Sequence, residues 1–407
     1  MRLMIVHMVA KLRFPHGYRK AILPFFWKLN VKKVCIINPH FYHFVVGGAE
    51  VQLFLLSQQM ISEGIEVHYV CADVDSTVEI KGVTLHPFKE SANQLSKSMQ
   101  RLTGIIDSIN PDIVYQRGRK LTTYYAGKCC RARNIPFVFS VSMDIDCRYL
   151  KSAPRVFEQG TFSARNLMKF LIRAKEDFYS LKGMKLASRI ITQTKRQQGA
   201  LKKSRGLNSK TISSGHIVPT EESLVKTDPP VVLWLANLKE WKRPELFMQV
   251  ANQLKHLDCQ FIMAGRLATE SYRSQIEETK AKTKIFDYLG AQTFEESNEL
   301  ISRASVFVNT SAGDEGFPNT FIQAWLREVP TITLDFDPDG IIAENQLGYH
   351  SGTLHQLAID IEHLVKNSVE RRTMGERARD FVVSRFSAEF NFGEVIETGR
   401  CLVQDGK

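Results

Sequence analysis

Glu315 stands in a Gly/Pro-rich loop, AGDEGFPN. Asn319 and Gln323 follow on a helix that the apolar pattern predicts from Pro318 through about Arg327. A carboxylate grips paired sugar hydroxyls because each of its oxygens accepts hydrogen bonds from them. Asn319 and Gln323 are four apart and so share one helix face. From Glu315 to Gln323 a wholly helical chain rises about 12 Å, a span suited to a sugar at one end and a ribose at the other. The plainer reading of Asp314 and Glu315 is that they cap the helix start, where acids are favourable. The loop is longer and more apolar than a cap requires.

Two further clusters could handle a diphosphate. LANLKEWKRPELF (235–247) puts Lys239, Lys242 and Arg243 directly after an apolar run, with Pro244 starting a helix. Cations there could neutralise phosphate charge, although a solvated basic loop has the same composition. VVGGAE (45–50) places Gly47 and Gly48 where the backbone can approach a ligand and a helix start offers N–H groups. It lacks the three-glycine dinucleotide spacing, so a nicotinamide cofactor is not favoured. Arg117 and Arg119 in YQRGRK close another apolar run. Asp144/Asp146 and Asp337/Asp339 fit an Asp-x-Asp pattern literally, but no convincing metal site is present, and no metal is expected.

These residues need a scaffold that brings distant loops together. KVCIIN (33–38), EVHYVCA (66–72), DIVYQ (112–116), PFVFSVS (136–142) and SRIITQT (188–194) are short apolar runs separated by helical stretches. They read as a parallel sheet covered on both faces. A polar break with Pro229-Pro230 follows. The rhythm restarts with VVLWLAN (231–237), CQFIMAG (259–265), KIFDYLG (284–290), ASVFVNT (304–310) and TITLDF (331–336). The fold class expected is α/β, with two doubly wound Rossmann-like domains facing across a cleft. The expected division is a basic extension at 1–30, a first Rossmann-like domain at 31–222, a second at 223–386 and a closing helix at 387–407. Ligands of such sheets bind beyond the carboxyl ends of the strands, which is where the three clusters fall.

The 407 residues carry a net charge of +11, unevenly placed. Residues 1–30 hold six Lys/Arg and no acid, and residues 151–210 hold fifteen against three, so the rest is net acidic. Apolar residues interleave the second basic stretch, RNLMKFLIRAKEDFYSLKGMKLASR, as an anionic surface or substrate would require. No aromatic-interleaved motif for nucleic acid is present, and none is expected to bind. Seven cysteines without paired metal spacing read as reduced thiols. No run reaches the ~18 apolar residues of a membrane span and no export signal is read, so a cytoplasmic protein is expected, docked peripherally through residues 1–30.

Over roughly residues 33–400 the chain resembles a retaining GT-B-fold glycosyltransferase of the large family 4 group. Gly47-Gly48-Ala49-Glu50 matches that family's N-terminal loop. EGFPNTFIQAW matches its Glu-x7-Glu motif. PDIVYQRG, SGHIVP and MGERARDFVVSRFS agree. The resemblance implies transfer of a hexosyl unit from a nucleotide-sugar to a cell-envelope glycan or lipid-linked acceptor. Retention would follow from a front-side displacement in which a donor phosphate oxygen takes the acceptor's proton, with no cofactor and no obligatory metal. Glu315 and Lys242 are then the catalytic pair. Gly47, Gly48, Asn237, Arg266, Gly316, Phe317, Pro318, Asn319 and Gln323 would bind the donor, and Arg117, Ser142 and Asp144 would face the acceptor.

The chain departs from the family at three places. Gln323 replaces the second Glu. Asn237 replaces the clamp Arg, so that Lys239, Arg243 or Arg266 must compensate. Ser142 stands near the position of a frequent His. A rival reading follows from these changes: a catalytically weakened GT-B shell that binds nucleotide-sugar.

Overall fold

A computed structural model gives the fold and describes residues 31–90, 94–154, 156, 163–220, 224–313 and 316–405. The extension at 1–30, with its expected membrane role, lies outside the described residues, as do Asp314 and Glu315.

The first sheet contains β1 (Lys33–Ile37), β2 (Glu66–Cys71), β3 (Val78–Ile80), β4 (Val83–Pro87), β5 (Ile113–Arg117), β6 (Phe137–Ser140), β7 (Arg189–Thr192) and β8 (Lys210–Thr211). Their spatial order is β3-β4-β2-β1-β5-β6-β7-β8, parallel throughout except for β3 against β4. Around it lie α1 (Gly48–Ser62), α2 (Leu95–Ile109), α3 (Leu121–Arg133), α4 (Ala164–Lys185) and α5 (Lys195–Arg205). Successive residues of β1 enter opposite cores: Val34 and Ile36 in one, Cys35 and Ile37 in the other. That is why the run is apolar without alternation.

The second sheet contains β9 (Val231–Leu235), β10 (Gln260–Ala264), β11 (Phe286–Tyr288), β12 (Val306–Asn309), β13 (Thr331–Thr333) and β14 (Gly348–His350). Its order is β11-β10-β9-β12-β13-β14, and every pair is parallel. The flanking helices are α6 (Pro244–Gln253), α7 (Ser271–Lys282), α8 (Phe294–Arg303), α9 (Asn319–Trp325), α10 (Ile341–Glu344), α11 (Leu354–Lys366) and α12 (Ser368–Phe386), and α13 (Ala388–Asp405) ends the chain. Local chemistry sets several boundaries. Thr293 and Glu296 form a capping box at α8, Pro244 opens α6, and left-handed Asn110, Asn134 and Gly206 end α2, α3 and α5.

The chain passes between the sheets twice, and the passages are bonded to each other. His216 N donates to Phe386 O at 2.9 Å, and Ala388 N donates to His216 O at 2.8 Å. Helix α13 then returns to the first domain. Phe392, Val395, Ile396 and Val403 enter its core, and Arg400 reaches Glu63 at 2.8 Å.

The β3–β4 hairpin was not expected. Its turn is Lys81-Gly82, both at positive φ (52° and 77°), a lysine where Asn or Asp is the usual signal. The edge strands β8 and β14, two and three residues long, were also missed. Such lengths leave too few side chains for a pattern to register.

Candidate active site

Both sheets reverse their strand order at their first strand: β1 lies between β2 and β5, and β9 between β10 and β12. The loops beyond β1 and β9 face each other across a cleft of about 610 Å³. Gly47 and Gly48 form one wall. Gly47 is extended and precedes α1, whose first N–H groups lack acceptors one turn back and open on the cleft. Glu50, one turn in, accepts from Asn38 Nδ2 at 3.1 Å, and Asn38 Oδ1 accepts from Lys120 Nζ at 3.2 Å. Burial pulls the Lys120 ammonium down to about 8.

The opposite wall is the loop after β9. Gly265 lets it approach the end of β10. A Cβ there would lie 1.7 Å from Ala236 O, and the φ of +144° is glycine's. Asn237 and Arg266 are adjacent in consequence, with Arg266 N donating to Asn237 Oδ1 at 3.4 Å. Lys239, Lys242 and Arg266 line the cleft, with the Lys242 ammonium 4.7 Å from the Trp241 ring centre. Arg243 does not line it. It takes a left-handed φ of 49°, and its guanidinium is held by Thr310 O and Asp335 on another side. Of the three cations named as compensating for Asn237, Lys239 and Arg266 are therefore in position.

Thr310 ties the Lys242 loop to the loop that leads to Glu315. Its hydroxyl accepts from Trp234 Nε1 at 3.0 Å and lies 2.8 Å from Lys242 O, and Ala312 N donates to Trp241 O at 2.9 Å. The segments of Lys242 and Glu315 are neighbours up to Gly313.

Beyond Glu315, Gly316, Pro318, Asn319 and Gln323 line the cleft. Phe317 lines it too, its ring anchored in the core 4.9 Å from the Phe386 ring and 6.0 Å from that of Trp325. Gln323 is buried, with one amide N–H given to Asn298 at 3.2 Å. Its amide oxygen can accept a hydrogen bond from a hydroxyl in the cleft. Asn319 reaches across the cleft: Nδ2 donates to Gly48 O at 2.9 Å, and Oδ1 lies 3.2 Å from His216 Nε2. His216 Nε2 also lies 3.1 Å from Gln52 Nε2, so it links Asn319 to the start of the first domain's helix α1. Burial drives the imidazole down to about 4 and keeps it neutral.

On the first-domain side, Arg117 is buried at the cleft floor, donates to Ser214 Oγ at 3.3 Å, and has its pKa lowered by burial. Ser142 lines the cleft, but Asp144 does not; it accepts from Gln197 at 2.9 Å and pairs with Arg196. Arg119 also faces away, its guanidinium on Arg148 O at 2.7 Å. Burial alone would raise the Asp146 carboxyl, but Lys151 and the N–H of Ser142 hold it below the usual range. Asp337 accepts from Ile342 N and Ala343 N, while Asp339 accepts from Lys195 N and Arg196 N across the domain gap. All four carboxylates of the two Asp-x-Asp patterns thus cap or anchor. Among the described residues no group of three or more His, Cys, Asp or Glu could hold a metal ion.

Gln193 after β7, Trp241, and Ala291, Gln292, Phe294 and Ser297 after β11 line the cleft as well. They were missed, although the rule that strand ends face the ligand applies to β7 and β11 as to β1. The described lining carries four cations (Arg117, Lys239, Lys242, Arg266) and one carboxylate, Glu50. Such a lining attracts a polyanion.

Residues 46–215 match the model described as Glycosyltransferase Family 4, and residues 220–381 match Glycosyl transferases group 1. No curated protein sequence matches the chain. Among solved structures, HepE of Anabaena in complex with UDP and glucose is 15% identical, with a TM-score of 0.64 over 90% of this chain and 99% of that one. Sucrose-phosphate synthase from Thermosynechococcus elongatus is 15% identical, with a TM-score of 0.70 over 92% and 100%. WaaG, a glycosyltransferase involved in lipopolysaccharide biosynthesis, is 13% identical, with a TM-score of 0.67 over 89% and 98%. At these identities the likeness establishes the two-domain GT-B fold.

Proposed function

We propose that this chain, a GT-B-type glycosyltransferase by its fold and by the family models its two halves match, moves a hexosyl unit from a nucleotide-sugar to a cell-envelope glycan or lipid-linked acceptor with retention of configuration. The observation that carries this reading is one cleft that joins three fittings for an activated sugar. Lys242, Lys239 and Arg266 lie on one wall, the first N–H groups of α1 lie opposite, and Asn319 and Gln323 share one helix between them. The complexes of HepE with UDP and with UDP-glucose support a nucleotide-sugar as the ligand.

As the bond from the anomeric carbon to the diphosphate breaks, the departing oxygen gains a negative charge beyond the two the donor already carries, and the Lys242 ammonium and the α1 N–H groups stabilise it. Glu315 orients the hexose through its hydroxyls and offsets the positive charge at the anomeric carbon. A donor phosphate oxygen on the same face takes the acceptor's proton, so neither a protein nucleophile nor a metal is required. Gln323 accepts from the ribose in place of a carboxylate, a change that alters affinity more than chemistry. The acceptor enters beside Arg117 and Ser142. We place the reaction in the cytoplasm, at the inner membrane face.

A thermal-shift screen of UDP-, GDP-, ADP- and dTDP-sugars tests the donor, since a ligand that binds only the folded form raises its melting temperature. One nucleotide-sugar should raise it, and Lys242→Ala should cut turnover about a hundredfold. Glu315→Ala should keep the shift and abolish transfer. If no nucleotide-sugar shifts the midpoint, the reading fails. If Glu315→Ala transfers as the parent does, the assigned chemistry fails.

A further inference from the structure

Helix α4 carries a surface that packing within the described residues does not explain. One side holds Asp177, Ser180, Leu181, Gly183 and Met184 against the first domain. The other exposes Leu167, Met168, Leu171, Ile172 and Phe178 at 42%, 60%, 54%, 48% and 40%. With 3.6 residues per turn, these five fall within an arc of roughly 140°. Among the described residues, no other helix exposes more than two large apolar side chains to this degree. Exposed apolar residues on a soluble surface are normally scattered singly, and a contiguous stripe marks something that covers it.

The charges around the stripe indicate what that is. Lys175 and Lys182 fall inside the arc, and Arg165 and Lys185 at its edges. The Lys182 ammonium lies 4.4 Å from the Phe178 ring centre, so its stem covers the ring while its charge stays outward. The helix has two carboxylates, and neither joins the stripe. Glu176 pairs with Arg173 at 2.8 Å. Asp177 is buried and accepts the N–H groups of Lys151, Ser152 and Ala153. Apolar residues flanked by cations, without acids, fit a helix lying in the headgroup region of an anionic bilayer.

We propose that the outer face of α4 seats the protein on an anionic membrane surface. The helix is tied to the cleft through two buried carboxylates. Asp177 holds the 151–153 loop, Lys151 reaches Asp146 at 2.7 Å, and Asp146 holds Ser142 N at 2.9 Å on the cleft wall. Docking therefore fixes the acceptor side of the cleft relative to the bilayer. The proposal rests on neither the donor nor the acceptor assigned above.

Co-sedimentation of the full chain with vesicles tests it, using equal phosphatidylglycerol and phosphatidylcholine against pure phosphatidylcholine. The parent should partition onto the anionic vesicles. Met168→Asp with Leu171→Asp should lower that partitioning at least about tenfold. Lys175→Gln and Lys182→Gln should each lower it about fivefold at low salt. Both positions of the apolar pair are exposed, so the melting midpoint should stay at the parent's value. Residues 1–30 are present in every protein compared, and any difference reports on α4. Three results would overturn the proposal: a parent that ignores anionic vesicles, an aspartate pair that binds as the parent does, or a parental dimer that the aspartates split in sedimentation velocity.

Discussion

Gly316→Ala probes whether the cleft must close. A Cβ at Gly316 would lie 2.7 Å from Ser142 O, on the other domain, against the 3.4 Å at which ordinary contact begins. About 0.7 Å of separation would have to be found. Ser142 cannot yield it, because its N–H is held by Asp146 at 2.9 Å and its carbonyl by Gln193 at 2.9 Å. Forcing one methyl into such a contact costs about 1–3 kcal/mol, which divides the closed population by roughly 5 to 150. The contact exists only where the domains meet, so each domain folds as before and the loss appears in turnover. Gly313→Ala is the control on the same loop: a Cβ there meets nothing within 4 Å. Initial rates with the donor found by thermal shift should fall at least about fivefold for Gly316→Ala and less than about twofold for Gly313→Ala. Equal rates for the two variants would refute the closure argument.

Two further outcomes follow from the same interface. His216 has a folded pKa of about 4 against an ordinary value of 6.5. The unfolded chain therefore takes up a proton that the folded chain excludes, and stability present above pH 6.5 is lost as pH falls toward 4, by about 3 kcal/mol. Urea unfolding across that window should show the loss, and His216→Gln should have a flatter pH profile; parallel profiles would dismiss the residue. Asp339→Ala removes the acceptor for Lys195 N and Arg196 N across the gap. It should cost about 1 kcal/mol of domain pairing, read as a larger radius of gyration in small-angle scattering; an unchanged radius would show that the contact does not hold the domains together.

The legible parts of the sequence were those whose signal is local. KVCIIN and VVLWLAN announce buried parallel strands because residues on both faces enter cores, and Val34 and Cys35 do so on opposite sides. Lys242, Gly48 and Asn319 were found because each sits at the end of such a strand or the start of its helix. Arg243 shows the limit. Its position in the loop matches that of Lys242, but its left-handed backbone and the carboxylate of Asp335, 92 residues on, turn it out of the cleft. Asp144 is the same case: expected to face the acceptor, it is taken up by Gln197 and Arg196, 53 and 52 residues on.

Sequence alone determined two doubly wound domains and the loops at the carboxyl ends of their strands, because apolar periodicity and turn residues act over a few positions. Tertiary structure alone decided which cations line the cleft, that Asn319 bridges Gly48 and His216, and that α13 returns to the first core. Those contacts join residues up to hundreds of positions apart. Their energy depends on how the two domains pack, which no local pattern encodes.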